Sequence, residues 1–112
     1  MLKKIHRLNK SKDIKQTSMR GRGFFTPNFI LKYQPSSAPS PRFTIIASTK
    51  VSKKAVVRNK LKRVLREAIR LKLAGFKPGD YVVIVKASAA ADPKLLPAQF
   101  IKLAQSTKLL RD

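Results

Sequence analysis

The segment YVVIVKA, residues 81–87, restricts the fold more than any other part of the chain. It opens with five apolar residues in a row, three of which are valine. A strand with one solvated face would alternate apolar and polar side chains, whereas a continuous apolar run of β-branched residues is typical of a strand covered on both faces. We therefore predict a buried strand in a sheet against which helices pack.

Two further segments are predicted to be strands. They are FFTPNFILKY, residues 24–33, and RFTIIAS, residues 42–48, and both are rich in Phe, Ile, Thr and Tyr. Pro27 cannot donate to a sheet ladder, so it indicates an edge or a bulge in the first segment. The intervening QPSSAPSP, residues 34–41, is too long for a tight hairpin and is interpreted as a surface loop.

Three segments are predicted to be helical, namely residues 11–19, 55–74 and 97–110. Ser11 is predicted to cap the first helix, and Gly75 is the predicted stop of the second. The order α-β-β-α-β-α, with room for one extra strand, indicates a single α+β domain over residues 1–112. We expect a small sandwich in which the helices pack on one central sheet, preceded by a flexible basic N-terminus over residues 1–10.

The charge of the chain is strongly one-sided. There are 26 lysines and arginines against five aspartates and glutamates, giving a formal net charge of +21. So much charge of one sign repels itself in the folded state and indicates an anionic partner. Nucleic acid ranks first among the candidates, an anionic membrane surface second and an acidic protein third.

The sequence offers no sign of secretion or of membrane insertion. It contains no cysteine, so neither a disulfide framework nor a cysteine-based zinc site is expected. Its first residues, MLKKIHRLNK, lack the apolar run of a signal peptide, and no stretch of 18 apolar residues occurs. We expect a cytoplasmic protein.

The predicted helix AVVRNKLKRVLREAIR, residues 55–70, has two distinct sides when its residues are placed at intervals of about 100°. The apolar arc contains Val57, Leu61, Val64, Leu65 and Ala68, and Ile69 falls at its border. The opposite, cationic arc contains Arg58, Asn59, Lys62, Arg63, Arg66 and Arg70. Lys50, Lys53 and Lys54 extend the cationic arc into the preceding loop.

Two interpretations of this cationic arc are open. Charged helical faces are commonly just solvated, but such faces normally carry acids one turn away from their bases. Here Glu67 is the single acid of the helix, and it can reach Arg63 and Arg70 but not the other bases. We therefore favour an anion-binding face over a merely solvated one.

Residues 48–70, STKVSKKAVVRNKLKRVLREAIR, resemble the signature of the bacterial ribonuclease P protein subunit. That family has a lysine before a basic loop, then an R-N-R segment and further bases along one helix. The matching positions here are Lys50, then Arg58 and Asn59, then Lys62, Arg63 and Arg66. The size, the charge and the order of elements agree with the family across nearly the whole chain.

The sequence also departs from the family at specific positions. Lys60 replaces the second arginine of the R-N-R segment, which keeps the charge but loses the planar guanidinium. Ile14 and Ser18 occupy places on the first helix where the family has aromatic residues. Lys32 stands where the family often has a tyrosine.

The resemblance implies a function, a fold detail and two binding surfaces. Members bind a large catalytic RNA that removes the 5′ leader of precursor tRNA, with Mg²⁺ at the RNA active site and no metal firmly expected on the protein. A left-handed β-α-β crossover is implied. The RNA-subunit surface would comprise Lys50, Lys53, Lys54, Arg58, Asn59, Lys60, Lys62, Arg63, Arg66 and Arg70. The leader cleft would comprise Ile14, Arg20, Arg22, Phe29, Lys32 and Tyr33. The other phenylalanines of the predicted strands, Phe24, Phe25 and Phe43, are expected in the core.

The remaining residues favour a non-catalytic chain. Five scattered acids suggest no carboxylate pair, and His6 is expected to be solvated, so we predict no catalytic and no metal-binding residues. Expected partners are the ribonuclease P RNA and precursor tRNA, without a membrane or an obligatory protein partner. The alternatives are a structural RNA-binding protein of another assembly, such as a small ribosomal protein, and a membrane-surface or DNA-compacting protein.

Overall fold

The computed structural model describes residues 4–36 and 39–111 of the 112-residue chain. Its elements are α1 (Ser11–Arg20), β1 (Arg22–Phe25), β2 (Phe29–Gln34), β3 (Pro41–Ile46), α2 (Ala55–Leu71), β4 (Gly79–Val85) and α3 (Leu95–Ser106). The predicted α+β class is confirmed, and the extra strand is present. Within the described ranges, no helix has both the length and the apolar character needed to span a bilayer.

The sheet has the strand order β1-β2-β4-β3, so β4 lies inside it. β4 pairs antiparallel with β2 and parallel with β3. Val82 and Val83, which point to opposite faces, are both fully buried, so the prediction of a strand covered on both faces is confirmed. The connection from β3 through α2 to β4 is a parallel β-α-β unit, and the left hand that the resemblance implies for it stays a prediction.

The segment predicted as one strand over residues 24–33 is a hairpin formed by β1 and β2. Thr26 closes the turn, because its N–H donates to the Phe29 carbonyl at 3.0 Å and its hydroxyl donates to the same oxygen at 2.7 Å. The Phe29 N–H donates back to the Thr26 hydroxyl at 3.0 Å. Pro27 lies within this turn, where its missing N–H costs no ladder hydrogen bond.

The helices cover the sheet on both faces. α2 lies against β3 and α3, whereas α1 crosses β2 and β4 on the opposite face. The core under α2 and α3 includes the fully buried Phe29, Leu31, Leu61, Leu65, Ile69, Tyr81, Val83, Leu96 and Phe100. Odd-numbered residues of β2, β3 and β4 face this core, and even-numbered residues face the side of α1, which we call the α1 side of the sheet.

The buried stripe of α2 is rotated relative to the predicted apolar arc. Ile69, placed at the border from the sequence, is fully buried together with Leu61 and Leu65. Residues four apart follow one side of a helix, so these three side chains mark the line along which α2 meets the core. Val57 and Val64, near the middle of the predicted arc, are half-buried.

Residues 4–8 pack beside β3, although the sequence predicted a flexible N-terminus over residues 1–10. Arg7 forms an isolated parallel bridge with Phe43, and the Leu8 N–H donates to the Phe43 carbonyl at 2.8 Å. Leu8 is buried. His6, expected to be solvated, is half-buried, with its Nδ1 atom 3.0 Å from the Pro41 carbonyl oxygen. The buried Leu8 side chain thus anchors part of a segment that was predicted to be flexible.

All three helices differ from prediction at their ends. Ser11 is the first residue of α1 and not its cap, since Lys10 occupies the cap position without a capping side-chain hydrogen bond. α2 ends at Leu71 and is followed by a separate 3₁₀ turn at Leu73–Gly75. α3 spans Leu95–Ser106 and not residues 97–110.

The end of α3 has a physical cause at Lys108. This residue has a φ of 67°, and the N–H groups of Leu109 and Leu110 both donate to the Ala104 carbonyl at 3.0 Å. A left-handed residue that redirects the following N–H groups in this way stops a helix, and glycine usually occupies the position. Leu110 is therefore buried in the core after the helix has ended.

Candidate nucleic-acid interface

The loop before α2 presents three lysines around a buried anchor. Val51 is buried, and its N–H donates to the Ser48 carbonyl at 3.0 Å. Lys50, Lys53 and Lys54 are exposed around it. The first turn of α2 contains no acidic residue, so these lysines add to the positive end of the helix dipole. The arrangement disfavours helix initiation but favours an approaching anion.

The cationic side of α2 is largely open to solvent. Its exposed members are Asn59, Lys60, Arg63, Arg66 and Arg70, and its half-buried members are Arg58 and Lys62. We call these seven residues, together with the three loop lysines, the α2 cationic face. Among the described residues, Lys60, Lys62, Arg63 and Arg66 have no ion-pair partner. Uncompensated cations on one face raise the local concentration of anions.

Arg58 and Arg70, the first and last cations of this face on α2 itself, have partners within the protein. The Nη1 atom of Arg58 donates to the Ser52 carbonyl at 2.8 Å, which ties α2 to the lysine loop. The Nε atom of Arg70 donates to the Glu67 carboxylate at 3.1 Å, and Nη2 donates to its other oxygen. This hydrogen-bonded pair lowers the pKa of Glu67 and raises the pKa of Arg70.

Arg42 of β3 joins two acidic residues on the α1 side of the sheet. Its Nε and Nη2 atoms donate to the two carboxylate oxygens of Asp80 at 2.8 and 2.9 Å. Its Nη1 atom lies 3.9 Å from Asp13 of α1. The hydrogen bond to Asp80 raises the pKa of Arg42 despite its partial burial. Acids that looked scattered along the sequence therefore converge on one guanidinium, which links α1 to the sheet.

A groove of about 380 Å³ lies where α1, β3 and α2 approach one another. Ile14, Thr44 and Arg66 contribute to its walls, together with residues of the N-terminal segment. Sequence reasoning assigned Ile14 to the leader cleft and Arg66 to the RNA-subunit surface. Because both line this groove, the two predicted surfaces are contiguous.

Two aromatic residues predicted for the leader cleft lie in the core. Phe29 is fully buried, and its ring centroid is 5.8 Å from that of Phe100 in α3. Tyr33 is buried with its hydroxyl donating to the Pro78 carbonyl at 2.8 Å, and burial, followed by the charge of Asp80, raises its pKa. Strand alternation causes both corrections, since odd-numbered residues of β2 face α2 and α3. Neither ring is available to a nucleotide.

The other predicted cleft residues divide between the two faces. Arg20 ends α1 and is exposed, and Lys32 is half-buried on the α1 side. Arg22 is exposed but is paired in register with Tyr33, and its guanidinium carbon lies 5.3 Å from the Phe24 ring centroid. Its side chain therefore belongs to the face opposite the predicted cleft. For Ile14, Arg20 and Lys32, membership of the leader cleft stays a prediction.

Phe25 is an aromatic residue that sequence reasoning misplaced. It was expected in the core together with Phe24 and Phe43. Instead it lies on the α1 side of the sheet, and 68% of its surface is exposed. Phe43 is buried as predicted, and Phe24 is partly buried against the core. Neighbouring residues of a strand point to opposite faces, so the adjacent Phe24 and Phe25 already indicated that only one of them would face the core.

Comparison with known proteins places the chain in one family. Residues 2–108 match the family model described as Ribonuclease P. The ribonuclease P protein component of Rippkaea orientalis is 39% identical over 88 residues, covering 74% of this chain and 69% of the relative. That of Dehalococcoides mccartyi is 39% identical over 90 residues, covering 80% of this chain and 72% of the relative.

Solved structures share the fold. A Staphylococcus aureus RNase P protein superposes with a TM-score of 0.86 at 21% identity, covering 95% of this chain and 98% of that one. The RNase P protein from Thermotoga maritima gives a TM-score of 0.79 at 25% identity, covering 95% of this chain and 99% of that one. The α2 cationic face, the family match and these relatives agree. The chain belongs to the ribonuclease P protein family and is a protein component of the ribonuclease that processes the 5′ ends of tRNA.

Proposed function

We propose that this protein supports leader removal by contacting two RNAs on one continuous cationic surface. The α2 cationic face would bind the ribonuclease P RNA, and the groove lined by Ile14 and Arg66 would receive the leader of precursor tRNA. The observation that carries the proposal is the row of cations from Lys60 to Arg66 without an ion-pair partner in the described part of the chain, exposed except for the half-buried Lys62, which leads directly into that groove.

The α2 cationic face suits an RNA backbone in its length and its chemistry. From Arg58 to Arg70 the helix axis advances by about 18 Å, which spans several phosphates. Each lysine or arginine that neutralises a phosphate releases condensed counterions, so affinity falls steeply as salt is added. Arginine can contact phosphate through two parallel hydrogen bonds, and Asn59 adds a neutral, directional contact.

The proposed division of labour leaves bond cleavage to the RNA, with Mg²⁺ bound there, in the cytoplasm. Three of the described acids support this division, because Asp13 and Asp80 both approach Arg42 and Glu67 binds Arg70. Their carboxylates are thus engaged in ion pairs that link α1 to the sheet or belong to one helix. The protein would contribute binding energy and position the leader.

Reconstitution tests the proposal directly. The chain is mixed with ribonuclease P RNA from Rippkaea orientalis, the source of one of the relatives, and with precursor tRNA, at an Mg²⁺ concentration where the RNA alone cleaves slowly. We expect the protein to accelerate cleavage at the mature 5′ end, and to do so more for a precursor with a leader of several nucleotides than for one with a single-nucleotide leader. No acceleration would refute the proposed function, and equal acceleration of both precursors would refute the leader contact.

A further inference from the structure

An apolar row crosses the whole sheet on the α1 side. The strand registers pair Phe25 with Ile30, Ile30 with Ile84, and Ile84 with Ile46. Directly paired residues point to the same face, so these four side chains form one line perpendicular to the strands. With neighbouring strands about 4.8 Å apart, the row is about 14 Å long. We call it the Phe25 row.

The Phe25 row lies beyond the part of the sheet that α1 fastens. The contacts of α1 involve Gln34, 3.4 Å from the Thr17 hydroxyl, and Arg42, 3.9 Å from Asp13. These two residues pair with the opposite end of β4 at Asp80, four positions along that strand from Ile84. The three isoleucines of the row are half-buried, and Phe25 is 68% exposed. An aromatic ring thus ends a semi-exposed apolar strip.

A cation is held at this ring. The Nζ atom of Lys32 lies 5.1 Å from the Phe25 ring centroid, close enough for a cation–π interaction. Gly23 faces Lys32 across the hairpin, and a Cβ atom there would come within 2.9 Å of both Lys32 Nζ and the Phe25 ring. The missing side chain therefore leaves the space in which the ammonium and the ring meet.

We infer that the Phe25 row is a stacking surface for unpaired nucleotides of the precursor leader, with Lys32 contacting the phosphate of the stacked nucleotide. The inference rests on the proposed function and deepens it by naming the residue that supplies the aromatic contact. Single-strand binding sites combine aromatic platforms for bases with cations for the backbone, and both occur here side by side. An anionic, base-bearing occupant also fits a chain with a net charge of +21.

The position of Phe25 also accounts for a departure in the sequence. Ile14 and Ser18 stand on α1 at places where the family that the sequence resembles has aromatic residues, and Phe29 and Tyr33 are buried in the core. Phe25 is the phenylalanine that the register places on the α1 side with its ring exposed. The aromatic contact would thus come from the edge strand of the sheet and not from the helix.

The test uses the reconstituted enzyme with two substrates, a precursor carrying a leader and the same tRNA without one. The measured quantity is the ratio of their dissociation constants. Stacking of one base on an aromatic side chain is worth about 1–3 kcal/mol, which corresponds to about 5- to 150-fold in affinity. We expect Phe25→Ala to lower the ratio by at least about fivefold, Phe25→Tyr to preserve it, and Phe25→Leu to behave like Phe25→Ala.

Controls separate stacking from other losses. Leu95→Ala removes an exposed apolar side chain from α3, away from the Phe25 row, and should leave the ratio of dissociation constants unchanged. Because Phe25 is exposed, its variants should keep the far-ultraviolet circular dichroism spectrum and bind the ribonuclease P RNA as the unchanged protein does.

Each contrary outcome has its own meaning. If the unchanged protein shows no preference for the leader, the proposed leader contact fails and the inference fails with it. If the preference exists but survives Phe25→Ala, the inference alone is overturned. If Phe25→Leu preserves the ratio, apolar contact and not stacking is at work, which also overturns it. Concentration-dependent self-association that Phe25→Ala abolishes would instead assign the row to a protein interface.

Discussion

Replacement of Arg42 by alanine should destabilise the protein far more than its position at the sheet edge suggests. The guanidinium makes a bidentate ion pair with Asp80, whose side chain is 10% exposed, and reaches Asp13 of α1. Without Arg42, the Asp80 carboxylate would remain largely buried without its cation. The cost of that desolvated charge, more than the lost attraction, sets the size of the effect.

The magnitude follows from the burial of the pair. Removing one partner of a buried ion pair costs about 3–5 kcal/mol, and the 26% exposure of the Arg42 side chain places this pair at the lower end, about 3 kcal/mol. For a urea m-value of about 1.5 kcal/mol/M, the unfolding midpoint should fall by about 2 M. Urea is the suitable denaturant because it leaves the ionic strength unchanged.

Two further variants distinguish the cost of the buried Asp80 charge from the loss of an ion pair alone. Arg70→Ala breaks the exposed pair with Glu67 and should leave the midpoint nearly unchanged. Adding Asp80→Asn to Arg42→Ala removes the stranded charge, so the double variant should be more stable than Arg42→Ala alone. A loss below about 1 kcal/mol for Arg42→Ala, or no recovery in the double variant, would show that the Asp80 carboxylate is not the source of the effect.

Two more predictions concern stability. Lys108→Gly should raise the free energy of unfolding, measured in urea, by about 1 kcal/mol, because the φ of 67° at Lys108 costs a residue with a Cβ about that much. Lys108→Ala removes the same charge but keeps the Cβ, so it should show no such gain. Burial and then the nearby Tyr33 raise the pKa of Tyr81 above its ordinary value of 10.0. Above about pH 10 the folded state therefore holds a proton that the unfolded state releases, so stability is retained below about pH 10 and lost above it. In Tyr81→Phe, the fall of stability with pH should be shallower by up to about 1.4 kcal/mol per pH unit. An unchanged slope between pH 10 and 11 would show that Tyr81 does not titrate with unfolding.

Local patterns in the sequence predicted the elements that such patterns control. The continuous apolar run at residues 81–87 predicted a strand buried on both faces, and β4 is that strand. The two-sided composition of residues 55–70 predicted an amphipathic helix with an exposed cationic side, and α2 has one. Both signals depend on the periodicity of a single element, which is readable without knowing what packs against it.

Strand alternation also determines which aromatic residues of β1 and β2 can share a face of the sheet. Phe29 and Tyr33 differ by four positions and share one face of β2, whereas Lys32 has the opposite parity. The three could not line one cleft together. The same rule separates Phe24 from Phe25. The sequence does not show which face of the sheet α2 and α3 cover. Their placement buries Phe29 and leaves Phe25 exposed on the other face.

The remaining features depend on contacts between distant parts of the chain. Arg42 and Asp80 are 38 residues apart, and no local pattern pairs them. The groove shared by Ile14 and Arg66 exists because α1, β3 and α2 converge at one place. The end of α3 at Ser106 likewise depends on Lys108, which adopts a left-handed conformation that glycine usually adopts. Helix propensity does not predict this stop.

We propose that the α2 cationic face binds the ribonuclease P RNA through specific positions and not through net charge. Arg63→Ala with Arg66→Ala removes two exposed cations from the middle of this face. Lys94→Ala with Lys102→Ala removes two exposed cations near and on α3. Each double variant lowers the formal net charge by two, from +21 to +19, so the pair is matched in overall electrostatics.

The decisive measurement is the dissociation constant for ribonuclease P RNA as a function of salt. If Arg63 and Arg66 each neutralise one phosphate, their removal should weaken binding and reduce the slope of log affinity against log salt by about 1.4–1.8, whereas the α3 variant should keep the slope of the unchanged protein. Equal losses in both variants would refute binding through specific positions, because they would show that the RNA responds to net charge and not to this face.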